Sequence, residues 1–160
     1  MLRLSKLTDY AVVVLAALAE PPARAGALHT ATSLADRTGL PVPTVQKLLK
    51  QLAKAGLVQS HRGAAGGYGL SRGADRVTVA QIVEAIDGPI ALTDCVDGAS
   101  GACGVESLCS RRGTWDKVNQ AVRRALDDVT LADMAADMAA HSPFGFEPPR
   151  APAPGAALAG

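Results

Sequence analysis

Aromatic side chains are almost missing from this sequence: one Trp, two Tyr and two Phe make up 3% of its 160 residues. A core built without them must come from Leu, Val, Ile and Ala on small helices, and 48% apolar residues suffices for one modest core. One domain plus an appendage is expected. Long hydrophobic runs are also lacking. The longest apolar stretch, Ala11 to Ala19, is too short to span a bilayer, and Met1-Leu-Arg-Leu-Ser leads into an amphipathic pattern without the layout of a signal peptide. A cytoplasmic protein without a membrane partner is therefore expected. The sequence has no Cys-x-x-Cys, no glycine loop for a nucleotide and no nucleophile with an arranged base, which argues against an enzyme.

Acidic residues are absent from Pro41 to Arg72, and this local lack is part of a wider asymmetry. Residues 1–76 carry 10 Lys/Arg against 4 Asp/Glu, whereas residues 77–160 carry 6 against 11. A net charge of +1 thus conceals a basic half joined to an acidic one. The basic half suggests a polyanionic partner.

Within that half, Leu7, Ala11, Val14, Leu15 and Leu18 follow helical spacing from Lys6 to Ala19, and Pro21-Pro22 ends the segment. Thr30 is placed to cap a short helix through Leu34 to Thr38, which stops at Gly39. Pro41 and Pro43 suit the start of another helix, whose buried stripe is Val45, Leu48, Leu49 and Leu52 and which ends near Gly56. Its opposite face offers Thr44, Gln46, Lys47, Lys50, Gln51 and Lys54. Two helices separated by a short turn with glycine, the second basic outside, make a helix-turn-helix that reads a major groove. A solvated surface helix would show the same charges, so the next segment matters.

There, Leu57-Val-Gln-Ser-His61 alternates like a strand, Arg62 to Gly67 makes a flexible basic tip, and Tyr68-Gly-Leu70 returns. This hairpin is a wing. Glycines would let its tip approach a phosphate backbone, and Arg62 suits the narrow, electronegative minor groove; an ordinary loose hairpin is the plainer reading of Gly66-Gly67.

In the acidic half, Thr78 to Ile86 fits a helix with Val79, Ile82, Val83 and Ile86 inside and Asp87-Gly88-Pro89 as its stop. The next segment, TDCVDGASGACGVESLCSRR, has little apolar content and holds all three cysteines, Cys95, Cys103 and Cys109, at spacing C-x7-C-x5-C. An odd count of clustered thiols does not make a complete disulfide set. Thiolates are soft ligands for iron-sulfur clusters, copper(I) or zinc, and Gly98, Gly101 and Gly104 let the chain wrap closely around an inorganic centre. A structural zinc site usually has paired C-x2-C knuckles and a fourth ligand nearby, which are lacking here. Reduced, unligated cysteines are the remaining reading, at odds with the usual burial of free Cys. His29, His61 and His141 are remote in sequence and read as surface or hydrogen-bonding residues.

Beyond this segment, Trp115, Val118, Val122, Leu126 and Val129 recur at three- and four-residue steps, a stripe that needs a partner. The chain offers few other apolar faces, so pairing with its copy across a two-fold axis is the preferred reading, through Trp115, Val118, Val122 and Leu126. A homodimer would set two recognition helices on the half-sites of double-stranded promoter DNA. Thr130 caps a last helix, Leu131 to Ala140, and the Pro-rich residues 141–160 read as a disordered tail. The expected fold is mostly α with a small β-hairpin: a winged helix-turn-helix over 1–77, the cysteine segment and dimerisation helices over 78–140, then the tail.

The stretches LRLSKLTDYA, LVQSHRGAAGGYGL and C-x7-C-x5-C before a Trp-containing helix resemble the IscR and NsrR family of winged-helix regulators, over about residues 2 to 140. Within that family DCVDGASGACGVESLCSRRGTW is most similar to regulators of SUF iron-sulfur assembly operons. The resemblance implies a homodimeric repressor of assembly genes with a cluster, 4Fe-4S or 2Fe-2S, on Cys95, Cys103 and Cys109, reporting iron-sulfur supply, nitric oxide or oxidants. IscR-type members complete the ligand shell with a His three residues after the last Cys, where this chain has Arg112, which is no ordinary ligand. NsrR-type members use an Asp of the first helix, matched here by Asp9; Glu106 is a weaker candidate, and a surface acid favoured by the helix dipole is the plain reading of Asp9. For DNA, Gln46 and Lys47 are expected at base edges, Thr44 and Lys50 at phosphates, Arg62 in the minor groove, and Ser5 and Tyr10 near the backbone. A thiol- or zinc-dependent DNA binder without iron is the alternative.

Overall fold

The computed structural model describes residues 4–20, 28–63, 66–92 and 114–141. The three cysteines, Glu106, Arg112, the wing-tip residues Ala64 and Ala65, and the tail from 142 onward lie outside them. In chain order the described elements are α1 (Lys6–Ala19), α2 (Ala31–Thr38), α3 (Val42–Lys54), β1 (Val58–His61), β2 (Gly67–Leu70), a 3-10 turn at Ala74–Arg76, α4 (Val79–Ile86), α5 (Thr114–Asp127) and α6 (Leu131–His141). Strands β1 and β2 pair antiparallel, Val58 opposite Leu70 and His61 opposite Gly67.

The boundaries follow from local chemistry. Ser5 caps α1 by accepting from the Thr8 N–H, and Glu20, extended as a residue before proline should be, ends it. Thr30 caps α2, and Gly39 closes it at φ +70°, a left-handed conformation that glycine adopts without strain. Thr78 and Gln81 form a reciprocal capping box at α4.

Helix α1 lies at the centre, packed against α2, α3, α4, α6 and β2. The periodic stripe anticipated burial of one face, but Val12, Ala16 and Ala17 are buried as well. The cause is α6, which covers a further side of α1 and sends Leu131 and Ala135 into the same cluster as Leu15, Leu34, Leu48, Leu49, Leu52 and Ile82. Two backbone hydrogen bonds fix this return: Val79 N–H to the Val129 carbonyl at 2.9 Å and Leu131 N–H to the Val77 carbonyl at 2.7 Å. A single core therefore runs across residue 77.

Candidate nucleic-acid interface

Helix α3 follows α2 after Gly39, Leu40 and Pro41, and the two pack together as a helix-turn-helix. Val45, Leu48, Leu49 and Leu52 are wholly buried, which orients the rest of α3 by elimination: Gln46, Lys47, Lys50 and Lys54 are exposed, and Thr44 is half-buried in the first turn. Three ammonium groups and a carboxamide thus share the outer face of one helix, with no carboxylate in the chain from residue 41 to 72. Such a face attracts phosphate and can offer donors to base edges.

The wing is held to the body by a contact that alternation did not reveal. His29 N–H donates to the Tyr68 carbonyl at 3.1 Å and Tyr68 N–H to the His29 carbonyl at 2.8 Å, so the chain before α2 adds a one-residue third strand beside β2. The His29 ring is buried, with Nε2 donating to the Glu20 carbonyl at 3.0 Å and Nδ1 accepting from Arg37 at 3.4 Å. Arg37 also pairs with Glu20. His29 accordingly belongs to the hydrogen-bonding class expected of it.

This packing explains Gly67, and a close backbone approach within the wing explains Gly66. A Cβ at Gly67 would stand 2.7 Å from both the His29 carbonyl oxygen and the Leu28 Cβ, and one at Gly66 would stand 2.8 Å from the Gly63 carbonyl oxygen. The need for glycine therefore arises inside the protein, from backbone packed on backbone, and not from an approach to phosphate alone. Arg62, directly after β1, is exposed. His61 is exposed on the same strand.

At the start of α1, Ser5 is half-buried and its hydroxyl is engaged in the cap, while Tyr10 leans on the core. Asp87, at the C-cap of α4, accepts from the Ser5 N–H at 3.1 Å and from the Thr8 hydroxyl at 2.8 Å. Partial desolvation pushes the Asp87 carboxyl up, but its bonds from Ser5 and Thr8 together outweigh this and hold it below the usual value. Asp9 lies in the same first turn, exposed, on a groove shared with Leu4, Lys6, Val12, Val79 and Met134. Its carboxylate has no partner among the described residues.

On α5, Trp115 and Val118 are exposed at 43% and 44%, and Val122 and Leu126 are half-buried. Helix α4 covers the inner side of α5, tied by an Arg123–Glu84 ion pair at 2.9 Å. Within one chain the stripe is thus only partly covered. Among the described residues no helix is long and apolar enough to cross a membrane.

Comparison with known proteins agrees with this geometry. The Rrf2 family, described as iron-dependent transcriptional regulators, matches residues 4–137. Protein rrf2 of Nitratidesulfovibrio vulgaris is 35% identical over 104 residues, 65% of this chain and 69% of that protein. The HTH-type transcriptional regulator CymR of Bacillus subtilis is 33% identical over 103 residues, 64% of this chain and 69% of CymR. In solved form CymR, described as the global cysteine regulator of B. subtilis, superposes with a TM-score of 0.62 at 30% identity, covering 86% of this chain and 98% of its own. IscR of T. potens superposes with a TM-score of 0.59, also at 30% identity, covering 91% of this chain and 95% of its own. The matched family and CymR are described as regulators rather than enzymes. The chain belongs to the Rrf2 family of winged-helix, DNA-binding transcriptional regulators.

Proposed function

We propose that this protein is a homodimeric repressor of iron-sulfur assembly genes whose affinity for promoter DNA is set by an iron-sulfur cluster on Cys95, Cys103 and Cys109. The observation that carries the reading is the donor set: three thiolates within fifteen residues, a chemistry that fits iron-sulfur ligation better than a closed zinc site. Asp9, exposed at the start of α1 and without a side-chain partner among the described residues, is the fourth ligand, supplied across the dimer. A cluster bound there reports its own assembly or loss by shifting the population of DNA-competent dimers.

DNA is held by α3 and the wing. Gln46 and Lys47 read base edges, Thr44 and Lys50 meet phosphates, Arg62 enters the minor groove, and Ser5 and Tyr10 flank the backbone. The exposed positions of Gln46, Lys47, Lys50 and Arg62 support these roles. Dimerisation runs through the open stripe of Trp115, Val118, Val122 and Leu126 on α5. A second reading, a regulator whose cysteines act without iron, draws on the similarity to CymR, as high in identity as that to IscR.

The deciding experiment is an anaerobic absorption spectrum with iron and sulfide analysis, followed by promoter titration of cluster-loaded and cluster-free protein at one salt concentration. A cluster that changes affinity supports the sensor. Colourless protein that binds promoter DNA after attempted reconstitution moves the cysteines to thiol or zinc chemistry. An Asp9→Ala protein with an unchanged cluster spectrum and cluster stability removes Asp9 from the ligand shell.

A further inference from the structure

Asn119 is 6% exposed, on a helix whose other described side chains are exposed or half-buried. Its carboxamide oxygen accepts from the Leu92 N–H at 3.1 Å, and its nitrogen donates to the Ile90 carbonyl at 2.9 Å. Only one orientation of the amide satisfies both bonds, because the carbonyl accepts and the N–H donates. Ile90 and Leu92 belong to no helix or strand. A backbone segment outside regular structure must find partners elsewhere, and a single side chain supplies two of them from α5.

The other end of the same short segment is Asp87, bonded to Ser5 and Thr8 at the start of α1. Residues 87–92 are therefore strung between α1 and α5. Cys95 comes three residues after Leu92, Asp9 follows Thr8, and Trp115 stands one turn before Asn119.

We propose that Asn119 is a positioning residue that relays the state of the cysteine segment to the dimerisation helix, with residues 87–92 as the strut between them. This inference rests on the cluster-sensing reading above. A displacement that reaches residues 90–92 must either carry α5 with it or open both bonds to Asn119, and the second course strands the buried Asn119 carboxamide. A signal at the cysteines thereby reaches the helix that sets the spacing of two recognition helices.

The test compares the full-length protein with Asn119→Leu, which keeps the branched shape of the side chain and removes both bonds, and with Asn119→Ser should the bulkier leucine disturb the fold. In cluster-free protein the Leu92 amide is expected to exchange with deuterium at least ~10-fold faster in the variant, while circular dichroism is unchanged. The ratio of promoter affinities between loaded and cluster-free protein, expected at about fivefold or more from unity in the parent, should fall to within about twofold of unity in the variant. A parent that switches and a variant that switches equally overturn the relay alone. Unchanged Leu92 exchange overturns the tie itself, and a parent that does not respond to its cluster overturns both the relay and the functional reading.

Discussion

Asp87 stands at the end of α4, yet both of its hydrogen bonds are made at the start of α1, where the helix dipole also favours a carboxylate. Its pKa is lowered on folding, so it contributes stability above the unfolded value of about 4, and the contribution is lost as pH falls through the depressed folded value. Asp87→Asn should lower stability at pH 7 by about 1 kcal/mol, because solvent screens a carboxylate this exposed. The gap between variant and parent, followed by urea unfolding, should close as pH falls below about 4. Arg62 behaves differently because it is exposed after β1, with no side-chain hydrogen bond or ion pair to another of the described residues. Arg62→Ala should leave the unfolding midpoint unchanged, reduce promoter affinity by about tenfold and lower the salt slope by about one. Anisotropy titrations over a salt series check this, and undiminished affinity would remove Arg62 from the interface. Neither the Asp87 tie nor the His29–Tyr68 bridge was legible in the sequence: each joins residues distant along the chain, and no local pattern encodes such pairs.

At the scale of elements, α3 and α5 are both amphipathic, but their environments differ. The apolar stripe of α3 is wholly covered by its own chain, so its face was readable from spacing alone, and the same spacing that buries Leu48 and Leu49 exposes Lys47 and Lys50. The stripe of α5 remains open at Trp115 and Val118. Replacing both with Ser should leave the fold of each chain intact and weaken self-association at least ~10-fold, read by sedimentation velocity across a concentration series. An unchanged dissociation constant would place the dimer contact elsewhere. Helix α1 shows the opposite error of pattern reading: its stripe suggested one buried face, whereas α6 covers another. Val12, Ala16 and Ala17 lie off the stripe that spacing marks, so only a second packed surface could place them in the core.

Over the whole molecule, Leu131 helps join the winged helix and the C-terminal helices in one core, since it is wholly buried and its N–H bonds the Val77 carbonyl. Leu131→Ala should destabilise the protein by about 2–5 kcal/mol. Thermal melts followed at β1–β2 and at α6 should shift together; separate transitions would divide the core at residue 77. The sequence by itself determined the order of the helices and strands and their limits to within a residue or so, though not the 3-10 turn at Ala74–Arg76, together with the basic face of α3, the hairpin and the clustering of the thiols, because caps, prolines, glycines and periodicity act over a few residues. Only the tertiary structure decided that α6 returns to α1, that His29 extends the sheet, that Gly67 is glycine because His29 crosses it, and that Asn119 and Asp87 hold residues 87–92 between two helices. Those choices depend on which surfaces meet, and the energy of such meetings belongs to pairs of residues far apart in the chain.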